Sequence, residues 1–328
     1  GFMARNCGSM KNVAILYAES QFTPWQENIN LNTVMNVNKS IPDEFNVSII
    51  HMIEPNASLA SLLKQFHWVF NMCYGFGRHS QADIAMWLDK NNITHLSSNG
   101  IAQYIAQDKL TAEKRLLEAG IDVPQSLESP LHLTHEYYIS KPRLGGCHRD
   151  IEIVPKQDVA LNWQRWKMEG KMVQPYLFGR EFSVAILPTE DGNEMTSLPP
   201  LEVIPTPARA VFIAGSSMGK TKRDFFPLVN NVELNNINIV AMKAHETLNL
   251  EYMSRVDIRM IDNIPYVLDV NTMPNLHPTQ SMFPALLRIH KIGMANFIAR
   301  LINFHERKTI NKSSNNQLHT ESFMDVFA

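Results

Sequence analysis

Short apolar runs alternate with helix-compatible stretches over the first hundred residues. Three runs predict β-strands at residues 13–17, 45–50 and 68–73, and two stretches predict helices at residues 29–37 and 81–90. Strands that alternate with helices are typical of a parallel sheet with helices on its faces. The pattern therefore predicts an α/β unit at the start of the chain.

Farther along the chain, paired strands replace this alternation. A helix is predicted over residues 108–119, where Gly120 supplies the stop signal. Later apolar runs predict strands at residues 137–141, 151–154, 172–177, 181–187 and 201–204 and helices at residues 156–168 and 232–248. Two further helices are expected to complete the core by about residue 305, before a polar tail that is expected to be mobile. The C-terminal half is thus predicted to be α+β.

One predicted hairpin carries the most informative polar positions. Two alternating runs flank Asp262–Asn263, as in an antiparallel β-hairpin. A turn centred near residue 263 places Asp257 opposite Asp269 and Arg255 opposite Asn271. Two carboxylates at cross-strand separation, with Cβ atoms about 5 Å apart, repel each other unless a positive charge lies between them.

Side-chain alternation divides this hairpin into two faces. The predicted core face carries Val256, Ile258, Met260, Tyr266, Leu268 and Val270. On the other face, carboxylate and amide oxygens are ligands that suit Mg²⁺ or Mn²⁺ better than zinc. The hairpin alone allows an alternative, a solvated face with ordinary ion pairs to Arg255 and Arg259.

Composition narrows the class of protein. A chain of 328 residues can form two or three compact units, and a net charge of -2 gives no reason to expect binding to nucleic acid or acidic membranes.

The cysteines bear on the cellular compartment. Cys7, Cys73 and Cys147 show no metal-ligand spacing, which indicates free thiols in a reducing compartment. No apolar run approaches the about 18–20 residues of a membrane span, and no signal-peptide pattern precedes Met10, the expected natural start. We expect a cytoplasmic protein. The sequence leaves open whether the protein forms a homodimer.

Two motifs of the hairpin region match a known family. The chain has Arg-Val-Asp at residues 255–257 and Asp-Val-Asn-Thr-Met-Pro-Asn at residues 269–275, followed by Ser281 and Pro284. This resembles the D-alanine–D-alanine ligases of the ATP-grasp superfamily, whose pattern is Arg-x-Asp and then Glu-x-Asn-Thr-x-Pro-Gly before a serine and a proline. Asp replaces Glu at the head of the second motif, which shortens the side chain by one methylene, and Asn replaces the final Gly.

The resemblance implies roles for these residues. Asp257, Asp269 and Asn271 correspond to the family's metal ligands. Arg255 corresponds to the arginine that steadies the acyl phosphate and the tetrahedral intermediate. Ser281 is expected to contact the substrate.

Two lysines stand at the family's phosphate positions. Lys109 follows Asp108 at the head of a predicted helix, and Lys141 precedes Pro142 at the end of a predicted strand. Either lysine alone would be assigned to a solvated surface. Together, and with the metal-binding motif downstream, they are expected to approach the nucleotide phosphates.

Residues 173–182 resemble the family's hinge strand, which holds adenine through its backbone. The resemblance implies that Tyr176 and Leu177 offer main-chain groups to adenine and that Glu181 accepts from the ribose hydroxyls. Gln174 stands where the family usually has a glutamate near the adenine amino group, and its amide oxygen can still accept that hydrogen bond.

Agreement is weakest where the family binds its first amino acid. The loop at residues 145–150 has only the glycine pair Gly145–Gly146 in place of Gly-Ser-Ser-x-Gly, which still permits close backbone approach to phosphate. The loop at residues 215–222 lacks the family's tyrosine, although Lys220 or Lys222 could close over the phosphates. These changes remove substrate contacts that the family makes. Glu19 and His148 are the candidates to replace them.

The sequence therefore predicts an α/β protein, α+β in its C-terminal half, with an ATP-grasp fold behind an N-terminal parallel-sheet domain. The expected units are residues 10–106, 107–177 and 178–305, with residues 306–328 as a mobile tail. The implied activity is an ATP-dependent, ADP-forming carboxylate–amine ligase that uses Mg²⁺ or Mn²⁺, acts through an acyl phosphate and takes a different or altered amino-acid or peptide substrate. A true D-alanine–D-alanine ligase and a catalytically inactive ATP-binding sensor or scaffold remain alternatives.

Overall fold

The computed structural model describes residues 10–18, 31–144, 150–206, 222–227, 231–279 and 281–324, and every structural statement below concerns this part of the chain. The first three long strands are β1 (Lys11–Tyr17), β2 (Phe45–His51) and β3 (Val69–Met72). They form a parallel sheet in the order β2-β1-β3, as the sequence predicts. Both faces of β1 are buried, which is the usual state of a parallel strand covered by helices.

Helices and one short hairpin complete this N-terminal unit. They are α1 (Leu31–Ser40), α2 (Ala57–Leu63), β4 (Gly75–Phe76), β5 (His79–Ser80), α3 (Gln81–Lys90) and α4 (Gly100–Gln107). Helix α3 begins at Gln81, as predicted, because Ser80 and Asp83 form a capping box in which each side chain bonds the other's main-chain N–H.

A small antiparallel sheet follows the next helix, α5 (Lys109–Glu118). Its strands are β6 (Tyr137–Pro142), β7 (Glu152–Pro155) and β8 (Lys171–Pro175), in the order β7-β6-β8. Helix α6 (Val159–Met168) is preceded by a 3₁₀ turn, Lys156–Asp158. Tyr138, Trp163 and Trp166 form the buried cluster between α6 and this sheet.

The largest sheet has six antiparallel strands. They are β9 (Arg180–Pro188), β10 (Met195–Ser197), β11 (Leu201–Thr206), β12 (Lys222–Pro227), β13 (Ser254–Ile261) and β14 (Ile264–Asn271). The order is β12-β11-β9-β13-β14, with β10 paired to β9. Helix α7 (Asn231–Thr247) packs on this sheet together with α4 and α5, through buried residues such as Ala112, Leu116 and Ile237.

The β13–β14 hairpin has the predicted cross-strand pairs because of a β-bulge, which the sequence pattern did not predict. Asp262 and Asn263 both have positive φ, 49° and 65°, as a two-residue type I′ turn requires. This tight turn alone would bring Leu268 opposite Asp257. A β-bulge adds one residue to β14, so Asp257 instead pairs with Asp269.

The same bulge overturns part of the predicted core face. Tyr266 and Leu268 were expected to be buried, but both are partly exposed. Val267 takes the core position opposite Ile258 and is 3% exposed. The physical reason is that one extra residue reverses the alternation of side chains on the turn side of the bulge.

The chain ends in two helices, α8 (Met282–Ile289) and α9 (Met294–Met324). Buried side chains of both helices, among them Phe283 and Phe297, pack in one cluster with Val13 and Phe70 of the parallel sheet. Helix α9 continues through residues 306–324, where the sequence pattern predicts a tail outside the core. This stretch contains neither Gly nor Pro, so no residue interrupts the helix, although residues 306–314 pack little. Among the described residues, no helix is both long and apolar enough to span a bilayer.

Candidate active site

Four of the predicted site residues line one cleft between α5, the small sheet and β14. They are Lys109, Lys141, Gln174 and Asp269, and the cleft encloses about 390 Å³ including its open mouth. Glu113, which no sequence pattern pointed to, and Leu268, which was expected on the core face, also line it. The fold thus brings lysines from α5 and β6 together with a carboxylate from the far edge of another sheet.

Burial in this cleft lowers the pKa of both lysines. Burial lowers the pKa of Lys141 to about 8, where the Asp269 carboxylate opposes the shift and the neighbouring Lys109 ammonium adds to it. Burial also lowers the pKa of Lys109, against the attraction of Asp269 and Asp108. Two ammonium groups close together in a partly desolvated cleft suit an anionic ligand, and the carboxylates of Asp269 and Glu113 line the same cleft.

Local structure positions Lys109. Asp108 caps α5 by accepting from the Thr111 N–H at 3.4 Å. Arg143, two residues after Lys141, donates to both Asp108 carboxylate oxygens at 2.8 Å, and its carbonyl accepts from the Lys109 N–H at 3.1 Å. These bonds join the two lysine-bearing elements, and no sequence pattern pointed to Arg143.

The polar face of the hairpin contains oxygen donors of the predicted metal site. Asp257 pairs with Asp269 across the strands, and Asn271 lies two residues farther along β14, on the same side by strand alternation. Asp257 accepts from Ser183 Oγ at 2.9 Å and from Arg255 Nε and Nη2, both at 3.2 Å. The Asn271 side-chain oxygen accepts from the Met273 N–H at 3.2 Å.

This donor set fits a hard divalent cation. No group of three His, Cys, Asp or Glu side chains suited to a metal occurs in the described part of the chain, so the site depends on the Asn271 amide. Carboxylate and amide oxygens are the ligands that Mg²⁺ uses, and each oxygen can accept more than one bond. Arg255 forms an ion pair with Asp257, with Nε 3.2 Å from Oδ1.

Main-chain and side-chain hydrogen bonds tie the predicted hinge to the rest of the protein. The Tyr176 N–H donates to the Tyr137 carbonyl at 2.9 Å, and Arg259 Nη1 donates to the Leu177 carbonyl at 2.9 Å. Gln174 Nε2 donates to the Pro124 carbonyl at 2.8 Å, so its amide oxygen is the end that can accept from a ligand. Glu181, at the end of the hinge, accepts from Arg259 Nη2 at 3.4 Å.

Several predicted residues cannot be placed. Glu19, Gly145, Gly146, His148 and Lys220 lie outside the described residues, and only the backbone of Lys222 is described, at the start of β12. Ser281 is the N-cap residue of α8, where its side chain makes no capping bond.

The N-terminal unit reaches the loop that follows β14. Gln81 Nε2 donates to Thr272 Oγ1 at 2.8 Å, and the Tyr74 hydroxyl donates to the Pro274 carbonyl at 3.2 Å. These contacts join residues about 190 to 200 positions apart in sequence, so local pattern could not have found them.

Comparisons with known proteins show which proteins this chain resembles. Residues 160–303 match the family model described as the D-ala D-ala ligase C-terminus. The D-alanine–D-alanine ligase of Thermotoga maritima is 29% identical over 231 residues, covering 67% of this chain and 74% of that protein. That of Petrotoga mobilis is 26% identical over 261 residues, covering 76% and 85%.

Solved structures show the same fold. The D-alanine–D-alanine ligase from Bacillus anthracis superposes with a TM-score of 0.69 at 19% identity, covering 92% of this chain and 99% of that one. The D-Ala:D-Ser ligase from Enterococcus faecalis superposes with a TM-score of 0.72 at 15% identity, covering 90% and 99%. The sequence relatives and the family model support a D-alanine–D-alanine ligase-like protein with an ADP-forming ligase activity, and the solved structures show that the chain has the ATP-grasp fold.

Proposed function

We propose that this protein joins a carboxylate to an amine through an acyl phosphate, with an amino-acid or small-peptide substrate other than a pair of D-alanines. The observation that carries the proposal is that Lys109, Lys141 and Asp269 line one cleft, and that Asp269 pairs with a second carboxylate, Asp257, across the hairpin. Units at residues 10–106, 107–177 and 178–305 would put the two antiparallel sheets in different subdomains, with the cleft between them.

In this proposal the nucleotide lies across the cleft from the hinge to the hairpin. Lys109 and Lys141 bind the phosphates. Glu181 accepts from the ribose hydroxyls, and the Gln174 amide oxygen accepts from the adenine amino group. The Tyr176 N–H and the Leu177 carbonyl already have partners within the protein, so the Leu177 N–H is the hinge donor that we assign to the base.

Asp257, Asp269 and Asn271 would hold Mg²⁺, or Mn²⁺ in its place. Such an ion supplies neutralisation of the charge on the phosphoryl group being transferred. Asp257 would hold the cation, and its neighbour Arg255 would be available for charge that develops on the substrate.

The reaction has two steps. A substrate carboxylate oxygen attacks the γ-phosphorus of ATP, the bond to the β,γ-bridging oxygen breaks and ADP leaves. A neutral amine then attacks the carbonyl carbon of the acyl phosphate. The C–O bond to the phosphate breaks, inorganic phosphate departs with its electron pair, and the proton that the nitrogen loses passes to the departing phosphate. Arg255 is placed beside Asp257 to stabilise the negative charge of the tetrahedral intermediate, and the two lysines hold the phosphates through the first step.

The substrate follows from the changed first-amino-acid elements. The loop at residues 145–150 lacks the family's serine, and the loop at residues 215–222 lacks its tyrosine. Losing one bond to a charged group costs about 1.5–3 kcal/mol, so several losses would lower the rate with D-alanine by orders of magnitude. The curated relatives, which are D-alanine–D-alanine ligases, favour D-alanine as the second candidate substrate.

A coupled assay of ADP release tests both candidates. The protein is supplied with ATP, magnesium and either D-alanine alone or a panel of amino acids and dipeptides. Turnover with another compound that clearly exceeds turnover with D-alanine supports the proposal. Robust turnover with D-alanine alone contradicts the substrate assignment, and no ADP with any compound, in a protein that still binds ATP, favours the inactive sensor.

A further inference from the structure

Arg259 joins three parts of the hinge segment, which we define as residues 176–181. Its Nη1 donates to the Leu177 carbonyl at 2.9 Å, and its Nη2 donates to Glu181 at 3.4 Å. Its guanidinium carbon lies 5.3 Å from the centre of the Tyr176 ring, in a cation–π contact. One side chain on β13 therefore contacts the first two residues and the last residue of the hinge segment.

The fold places Arg259 where it can do this. It pairs directly with Glu181 across β13 and β9, while Tyr176 and Leu177 lie just before β9 begins. The Arg259 side chain is only 11% exposed, and within the described residues its Nε is buried without a hydrogen-bond partner. A buried guanidinium with an unsatisfied donor destabilises the fold. An ion pair with Glu181 does not by itself explain why an arginine occupies this position.

The geometry suits arginine specifically. A planar guanidinium can donate in two directions and present its face to an aromatic ring at the same time, whereas an ammonium is a single point charge. The contact to Leu177 is made to a main-chain carbonyl outside the strand ladder. That bond orients the peptide group that follows Leu177, and the Glu181 contact holds its carboxylate on the same side of the sheet.

We propose that Arg259 is a positioning residue, which holds the Leu177 main chain and the Glu181 carboxylate in the arrangement that receives the nucleoside part of the nucleotide. The inference rests on the proposed nucleotide site and adds a residue to it. Arg259 acts through its neighbours and takes no part in the phosphoryl or acyl transfer.

The test compares Arg259→Met and Arg259→Lys with a matched control, Arg165→Met. Arg165 lies on α6, outside the cleft and the hinge segment, ion-pairs with Glu152 and Glu169 and makes a cation–π contact with Trp166 at 6.0 Å. The control therefore loses the same kinds of contact as Arg259→Met, but none of them reaches the hinge segment. Calorimetry measures binding of ADP and of inorganic tripolyphosphate, which probes the lysine cradle without a nucleoside. Hydrogen exchange follows residues 176–181 without nucleotide.

Arg259→Met should weaken ADP binding about tenfold or more and speed exchange of the hinge segment. Arg259→Lys, which keeps the charge, should weaken ADP binding nearly as much and leave tripolyphosphate binding unchanged. Arg165→Met should match the wild type in all three measurements. Thermal unfolding of each variant shows that the native fold is present.

Two failures are distinguishable. If the wild type binds ADP and Arg259→Lys binds it equally well, the planar contacts have no positioning role and this inference is wrong, while the proposed function stands. If the wild type binds neither ADP nor ATP, the nucleotide site itself is wrong and the inference falls with it.

Discussion

At the scale of single residues, Lys141 gives the cleft a dependence on pH. Its pKa is about 8, and nucleotide phosphates bind the ammonium form. We expect affinity for ADP to fall as the pH rises through about 8 and beyond, because the protonated fraction of Lys141 falls there. Calorimetry near pH 8.5, in two buffers with different ionisation enthalpies, should show proton uptake on binding.

Lys141→Arg is the control for this prediction. An arginine stays protonated over the whole range, so this variant should bind ADP with less dependence on pH and with less proton uptake. Equal pH dependence in the variant and the wild type would show that Lys141 does not contact the phosphates.

Asp269 gives a second prediction at this scale. Asp269→Asn keeps the shape of the side chain but removes one negative charge from the proposed metal site. ADP formation should fall at least about 100-fold while the thermal unfolding temperature stays near that of the wild type. Asp262→Asn, at the exposed turn of the same hairpin, should leave activity unchanged. A folded Asp269→Asn variant with near wild-type turnover would contradict the paired-carboxylate site.

At the scale of elements, the bulge in β14 gives two neighbouring residues different roles, one in the stability of the fold and one in the lining of the cleft. Val267 is buried opposite Ile258, whereas Leu268 is partly exposed and lines the cleft. Val267→Ala should lower the free energy of unfolding by about 1–3 kcal/mol, measured by urea denaturation. Leu268→Ala should cost less stability but weaken ADP binding. The reverse result would show that β14 has the regular alternation expected from its sequence.

At the scale of the whole molecule, buried histidines set a dependence of stability on acid. His245 is 1% exposed and shares a 2.6 Å hydrogen bond with Ser254, and burial lowers its pKa to about 4. A histidine in the unfolded chain titrates near 6.5, so the unfolded state takes up the proton first. The free energy of unfolding should therefore fall as the pH falls from about 6.5 to about 4, by up to about 3 kcal/mol from this residue.

Urea denaturation at several pH values measures this slope. His245→Gln should reduce it, and His67→Gln, at an exposed position, should not. His305, whose pKa burial also lowers to about 4, will leave part of the slope in the His245 variant. An identical slope in all three proteins would show that His245 does not titrate as its burial implies.

Local patterns determined the elements that depend on neighbouring residues. The parallel strands, the capped start of α3 at Gln81 and the hairpin around Asp262–Asn263 all follow from alternation, caps and turn residues within a few positions. The expectation that Lys109, Lys141, Gln174 and Asp269 act together came from the resemblance of motifs. The structure puts those four residues in one cleft.

Only the tertiary structure decided which distant residues support the site. The bulge that pairs Asp257 with Asp269 depends on how β14 packs against the core, since the turn by itself selects a different partner. The contacts of Arg259 with the hinge and of Gln81 with the loop after β14 join segments about 80 to 190 residues apart. Sequence alternation specifies which face a side chain occupies, but the partner on that face depends on strand order and register, which the packing of the whole chain determines.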